Sequence, residues 1–329
     1  EGWHVRAGEP HAEVHALRQA AGRERGGTAY VTLEPCSHHG RTPPCVDAVL
    51  AAGPRRVVIA MEDPNPQVAG RGVGKLREAG VEVQVGLLAS QAAELNRGFV
   101  GRMTRGRPWV TLKLGTSIDG RTALADGASR WITGPEARAD VQRLRARASA
   151  IVTAVGTVLA DDPALTVRDT TLELHGREPL RVVLDARGET PPQSQLLLDG
   201  HATLVLAGEA GATALRDRGG AGSAVEIDVV ALDADGRIDL AAALQRLAER
   251  GCNEVLIEAG PRLAGAVLAA GLVDEAVLYL APTILGDSAR PALALPRPLR
   301  SLADRQLFQY RDVRLVGDYV RLTLRPVET

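Results

Sequence analysis

A chain of 329 residues exceeds what one hydrophobic core usually serves, so two domains are expected. Hydrophobic residues at 45% and charged residues at 24% exclude a disordered or fibrous chain, and aromatics at 3% leave the cores to Ala, Val and Leu. The formal net charge of −1 lacks the basic footprint that neutralises nucleic-acid phosphates.

That balance does not hide opposed halves. Residues 1–100 carry 11 Lys/Arg against 11 Asp/Glu, leaving 28 and 29 for the remainder. No apolar run approaches the roughly 20 residues of a membrane span, and no signal peptide is recognisable. Three cysteines fit no fully paired disulfide framework, and a reducing compartment suits free thiols, so we expect a cytoplasmic protein. The chain opens without Met only ten residues before His11, which reads as a fragment lacking its own N-terminus.

In chain order, residues 12–21 read as a helix, with Pro10 pre-set for its first turn. Residues 28–33 are a β-rich run, followed by the loop that carries Cys36. Pro43-Pro44 announces a helix over 45–52 that Gly53 ends. A strand at 55–60, a helix at 73–79 closed by Gly80 and a strand at 81–85 follow. Such alternation predicts a largely parallel sheet covered by helices. Gly101-Arg-Met-Thr-Arg-Gly-Arg-Pro108 interrupts the pattern, so we divide the chain into domains 1–102 and 107–329.

Beyond the break, strands are predicted at 109–114, 150–155, 180–185, 203–207, 254–258, 277–281 and 320–324. Helices are predicted at 135–147, 240–250 and 262–270, and residues 169–179 read as a surface loop. Cys252, beside Gly251 at a helix-to-strand turn, reads as a small buried apolar residue.

His11-Ala-Glu13, then Glu34-Pro35-Cys36 and Cys45, carry the chemistry. One imidazole and two thiols can hold zinc with the fourth position open, where a bound water loses a proton near neutral pH. Glu13 is placed to move that proton. His-x-Glu with Pro-Cys is the signature of zinc deaminases. A zincin helix through His11 and His15 needs Glu directly after the first His, where this chain has Ala12. Glu13 would also lie about 200° around an ideal helix from His11, so the deaminase reading requires His11 at the helix entry rather than inside it. A structural zinc site would need His38 or His39 as a fourth ligand. Eight residues separate Cys36 from Cys45, enough to bring both sulfurs to one metal and to project His38, His39 and Arg41 into the pocket.

The segments Thr32-Leu-Glu-Pro-Cys-Ser-His-His-Gly-Arg-Thr-Pro-Pro-Cys45, Glu62-Asp-Pro-Asn-Pro66, Lys113-Leu-Gly-Thr-Ser-Ile-Asp-Gly-Arg-Thr122, Ser129-Arg-Trp-Ile-Thr133, Val158-Leu-Ala-Asp-Asp-Pro-Ala-Leu-Thr166 and Glu258-Ala-Gly-Pro-Arg-Leu-Ala-Gly265 resemble, in order, the bifunctional riboflavin-biosynthesis deaminase/reductases. The resemblance covers essentially the whole chain. It implies an α/β protein, a cytidine-deaminase-like αβα domain followed by a dihydrofolate-reductase-like α/β domain. It also implies two steps on a small pyrimidine ribosylamino phosphate. A zinc ion on His11, Cys36 and Cys45 with Glu13 would deaminate the ring, and NADPH would then reduce the ribosyl group to ribityl.

Carried onto matching positions, Gly115, Trp131, Thr157 and Asp161 would lie at the nicotinamide cofactor. Gly260, Pro261, Arg262, Leu263, Ala264 and Gly265 would face its pyrophosphate at a helix start. Ser129, Arg145, Leu165, Arg168 and Glu258 would lie at the substrate, with Arg145 and Arg168 as phosphate holders. Spacing assigns no residue to the cofactor 2′-phosphate. Asp119-Gly120 also has a plain reading as a turn before Arg121. The Ala/Leu helices allow a homo-oligomer through the reductase-like half. The competing readings are a zinc nucleic-acid base deaminase with a non-catalytic C-terminal domain, and a silent binding or assembly protein.

Overall fold

The computed structural model describes every residue except Ala7, Arg41, Arg130, Trp131, Gly220, Ala221, Glu328 and Thr329. The chain forms two compact units, Glu1–Arg105 and Gly106–Thr329. No helix among the described residues is long and apolar enough to cross a membrane.

The first unit runs α1 (Ala12–Ala20), β1 (Thr28–Val31), α2 (Cys45–Ala52), β2 (Arg56–Ile59), α3 (Arg71–Glu78), β3 (Glu82–Val85), α4 (Ala89–Leu95) and α5 (Arg97–Arg105). Its sheet has the order β1-β2-β3, parallel throughout. Val57 and Ile59 of β2 pack with Val46 and Val49 of α2 and with Val73 and Leu76 of α3, so the apolar stripes of two helices meet the central strand. Gly53 ends α2 at φ 66°, a left-handed cap that suits glycine.

Two local expectations change. Pro10 lies outside α1, because His11 is the residue that caps it. The supposed interruption at Gly101 is the middle of α5, where Gly98 and Gly101 are buried. A glycine costs helix stability in isolation, but packing of a buried face outweighs that propensity term of roughly 1 kcal/mol. The break between compact units follows α5.

The second unit contains β4 (Trp109–Ser117), β5 (Arg121–Ala123), α6 (Pro135–Arg147), β6 (Ala150–Ala154), α7 (Val155–Asp161), β7 (Leu180–Leu184), α8 (Gln195–Leu198), β8 (Thr203–Ala207) and α9 (Glu209–Arg218). It continues with β9 (Val225–Val229), α10 (Leu240–Glu249), β10 (Glu254–Glu258), α11 (Pro261–Ala269), β11 (Glu275–Ala281), β12 (Arg290–Pro291), β13 (Phe308–Val316) and β14 (Tyr319–Pro326). Among the described residues, its main sheet has the order β13-β14-β11-β4-β10-β6-β7-β8-β9. The strands from β11 to β9 are parallel, and β14 and β13 close one edge as an antiparallel hairpin.

Strand alternation divides two cores. Ala150, Val152, Val182, Leu184, Leu204 and Leu206 face one side with α10 and α11. Ile151, Val183 and Val205 face the other with Leu196, Leu197, Ala212 and Leu215. Both faces are covered, which is why these strands read as nearly continuous apolar runs. Cys252 belongs to the first of these cores.

Arg181, 1% exposed, is a charged exception inside β7. Its guanidinium donates to Asp199 at 2.6 and 2.7 Å, to the Ala164, Leu196 and His201 carbonyls and to Thr203 Oγ1, tying α8 and the loops after α7 and α8 to the sheet. Truncating one partner of such a buried network leaves the other groups unpaired. Arg181→Met is expected to destabilise the second unit by about 3–5 kcal/mol. Urea unfolding followed by tryptophan fluorescence checks this, and a loss near zero would contradict it.

Candidate active sites

In the first unit His11 is the N-cap of α1, in extended backbone (φ −74°, ψ 169°), and its side chain makes no capping hydrogen bond. The geometric condition set by Glu13 is therefore met. His11 Nδ1 lies 3.6 Å from Cys36 Sγ and 3.0 Å from Cys45 Sγ. The donor atoms of the three residues lie within 4.8 Å of one another. Tetrahedral zinc with ordinary Zn–N and Zn–S bonds separates nitrogen from sulfur by about 3.5 Å, so the donor set fits that ion. Thr42 Oγ1 sits 3.3 Å from His11 Nε2 and can fix the ring and its tautomer.

Among the described residues, the metal-competent cluster contains His11, Cys36 and Cys45 without His15, His38 or His39. His38 and His39 are exposed, and Arg41 lies outside the described residues. A three-residue site leaves a position for water, as a catalytic site requires.

The electrostatics follow from the start of α2. Cys45 is its first residue, and its backbone N–H donates to Cys36 Sγ at 3.2 Å. Hydrogen bonding from Cys45, with added help from His11, pulls the Cys36 thiol down to about 5. Cys45 shifts upward, because it supplies the proton shared with Cys36 and because it is buried. A divalent cation reverses that second shift by holding both sulfurs as thiolates. Burial also raises Glu13, whose carboxyl neighbours Cys45.

In the second unit the parallel register pairs Glu258, the last residue of β10, with Lys113 of β4. Cross-strand partners share a sheet face, and Lys113 Nζ lies 3.9 Å from Glu258 Oε2. Arg145 of α6 grips the same carboxylate through Nε at 2.6 Å and Nη2 at 3.1 Å, and donates through Nη1 to the Thr166 carbonyl at 2.9 Å. Burial lowers Lys113. Burial also works against the Glu258 carboxylate, but the charges of Arg145 and Lys113 hold it below its ordinary value.

Other expected residues surround this cluster unevenly. Gly115 lies two residues beyond Lys113 on β4, and a Cβ there would come 3.0 Å from the Thr133 methyl. The exposed Arg168 has its backbone N–H held by Gln142 Oε1 at 2.7 Å. Leu165 is buried in the left-handed region at φ 51°, a strained conformation for a branched side chain. Thr157 Oγ1 accepts from the Gly260 N–H at 3.3 Å, linking the start of α7 to the start of α11.

Gly260 and Arg262 are exposed, whereas Leu263, Ala264 and Gly265 are buried. A Cβ on Gly265 would collide with the Ala294 carbonyl oxygen, so this glycine answers a packing need. Asp161 ends α7 at the surface, and Ser129 is half-buried before α6. Trp131 lies outside the described residues. Asp119 is more than a turn residue: it accepts from Ser117 Oγ at 2.6 Å and from the Leu285 and Gly286 N–H groups, which holds its carboxyl down at about 2.

Residues 1–61 match the cytidine and deoxycytidylate deaminase zinc-binding region, and residues 108–316 match the RibD C-terminal domain. The riboflavin biosynthesis protein RibD of Escherichia coli is 48% identical over 98% of this chain and 89% of its own length. That of Haemophilus influenzae is 44% identical over 99% and 87%. Among solved structures, Acinetobacter baumannii RibD superposes with a TM-score of 0.88 at 42% identity, covering 99% of this chain and 88% of that one. The Thermotoga maritima diaminohydroxyphosphoribosylaminopyrimidine deaminase/5-amino-6-(5-phosphoribosylamino)uracil reductase gives 0.84 at 32% identity, covering 99% and 88%.

The chain belongs to the RibD family. It carries a zinc-dependent deaminase domain followed by a dihydrofolate-reductase-like, NADPH-dependent reductase domain, the bifunctional arrangement of riboflavin biosynthesis. A base deaminase with an idle C-terminal half does not account for the RibD reductase domain.

Three structural partners escape a reading of motifs. Thr42 backs His11, Gln142 holds the Arg168 backbone, and Lys113 completes the Glu258 cluster. Lys113 was visible inside the RibD motif, but its pairing required the strand register. Because Glu258 is held below the ordinary carboxylate value of 4.5, its contribution to stability is fully present above that value. It is lost as pH falls through the lowered one. The urea midpoint of the second unit should therefore fall as pH drops below 4.5. Glu258→Gln should start less stable and lack that segment of the profile, and an unchanged slope would contradict the assignment.

Proposed function

We propose that His11 Nδ1, Cys36 Sγ and Cys45 Sγ hold the zinc ion of the deaminase domain, and that Glu13 moves the proton. The convergence of the three donor atoms within 4.8 Å carries this proposal. Zinc at such a site supplies a water acidified towards neutral pH and Lewis-acid polarisation. Glu13, its proton affinity raised by burial, takes a proton from the attacking water and delivers it to the leaving amine. A C–O bond forms at the ring carbon, the C–N bond breaks and ammonia departs. The substrate of this step is 2,5-diamino-6-ribosylamino-4(3H)-pyrimidinone 5′-phosphate.

The ribosyl group of the product is then reduced to ribityl with hydride supplied by NADPH. We assign Gly115, Trp131, Thr157 and Asp161 to the nicotinamide end of the cofactor. Gly260, Pro261, Arg262, Leu263, Ala264 and Gly265 form its pyrophosphate turn, in which the exposed Gly260 and Arg262 are the accessible members. Ser129, Leu165, Arg168, Glu258 and Arg145 line the substrate. Arg145 is already committed to Glu258 and Thr166, so its part is to fix the Glu258 carboxylate, which leaves Arg168 to meet the substrate phosphate.

The exposed apolar side chains Tyr310, Val313 and Leu315 on the edge strand β13 support a homo-oligomer formed through the reductase domain. Free thiols among the zinc ligands support a cytoplasmic setting.

Glu13→Gln is expected to lower deamination by roughly 10²–10⁴-fold, and zinc chelation should abolish it. NADPH oxidation on the deaminated intermediate should stay within about twofold of the parent in both cases. Loss of both activities in a folded variant would contradict separate sites. Arg168→Ala should raise the reductase KM on the order of tenfold or more, as expected for a lost charged phosphate contact, whereas Arg145→Met should lower kcat. Steady-state kinetics with the deaminated substrate separate the two, and equal KM effects would overturn the division of roles.

A further inference from the structure

Glu34 lies two residues before Cys36 and is only 3% exposed. Its carboxylate accepts four backbone N–H bonds. Oε1 takes Gly72 at 2.8 Å and Val73 at 3.0 Å, and Oε2 takes Gly70 at 3.0 Å and Asp63 at 3.1 Å. Gly72 and Val73 belong to the first turn of α3, whose N–H groups have no partner within the helix.

Two further contacts press the same segment onto α3. A Cβ at Gly72 would collide with the Pro35 carbonyl oxygen, so glycine alone permits the approach. Lys75 Nζ donates to the Ser37 carbonyl at 3.2 Å. Residues 34, 35 and 37 are thus each held by α3, with Cys36 between them. From the other side, Cys36 is tied to α2 by the Cys45 N–H on its sulfur and by the Val46 N–H on its carbonyl at 3.2 Å.

We infer that Glu34 is a positioning residue for the zinc ligand Cys36. It clamps the Cys36 loop to α3 and to the Asp63 segment, so that Cys36 Sγ stays at the reach of His11 and Cys45. The inference rests on the zinc assignment above. A carboxylate can satisfy two N–H donors at each oxygen, whereas a glutamine offers one acceptor and turns N–H donors against the other pair. Glu34→Gln therefore breaks half of the clamp at constant volume.

The test uses the full chain and reads zinc affinity by chelator competition and the thiolate-to-cobalt charge-transfer band after cobalt substitution. Glu34→Gln is expected to weaken zinc on the order of 10–100-fold, as loss of a group supporting a metal ligand does, and to shift the cobalt band. NADPH oxidation should be retained. Val57→Ala, a core variant of the same unit, provides a destabilised control in which affinity should persist. Unchanged affinity in Glu34→Gln, or equal losses in Val57→Ala at equal thermal stability, would overturn the role. If Glu34→Gln fails to fold, Lys75→Ala removes an exposed contact and should weaken zinc about threefold, the scale of one modest hydrogen bond; no change would likewise overturn it. A parent chain that binds no zinc, or a Cys36→Ser chain that binds it equally well, would instead refute the zinc assignment and Glu34's role with it.

Discussion

Backbone N–H groups at helix starts have no partner inside their own helix, and the deaminase domain is organised around that shortage. His11 caps α1 without using its imidazole on the backbone, which leaves the ring for a metal. The first N–H of α2 falls on Cys36 Sγ and stabilises a thiolate there. The first turn of α3 falls on Glu34. Three helix entries thus converge on one short loop, and each supplies what a buried anion or a metal ligand needs.

The reductase domain solves a related problem with side chains. Its central parallel strands bring Glu258 and Lys113 into register, and α6 adds Arg145. A buried carboxylate between two cations is stable only when its hydrogen bonds are met, and Arg145 meets them bidentately. The same helix uses Gln142 to hold the Arg168 backbone and Asp140 to receive the Tyr279 hydroxyl at 2.6 Å. One helix therefore fixes the site and anchors itself to β11, which ties the precision of the site to core packing.

Much of the fold was legible because both faces of the parallel strands are buried. Apolar runs such as 203–207 and 254–258 coincide with β8 and β10, and Pro135 opens α6 where a proline at N1 is expected. Strands with a weaker apolar signal were overlooked. β9 and β13 alternate or face solvent, and their pairing, rather than their composition, makes them strands. α5 is not anticipated by the sequence pattern, because Gly101 inside it resembles the start of a break until its buried neighbours are known.

His11, Glu13, Cys36 and Cys45 could be named from residue chemistry and spacing, because a metal site restricts residue type severely and the ordered motifs identify the family. Their supports could not. Glu34 acts through backbone N–H groups 29–39 positions further along the chain, and backbone donors leave no mark on residue type. Residue type offers Arg145 as a phosphate holder, whereas its bidentate grip on Glu258 appears only once α6 packs beside the end of β10. Spacing along a chain specifies which groups are available, whereas partnership depends on register and close approach, which arise when the strands and helices pack.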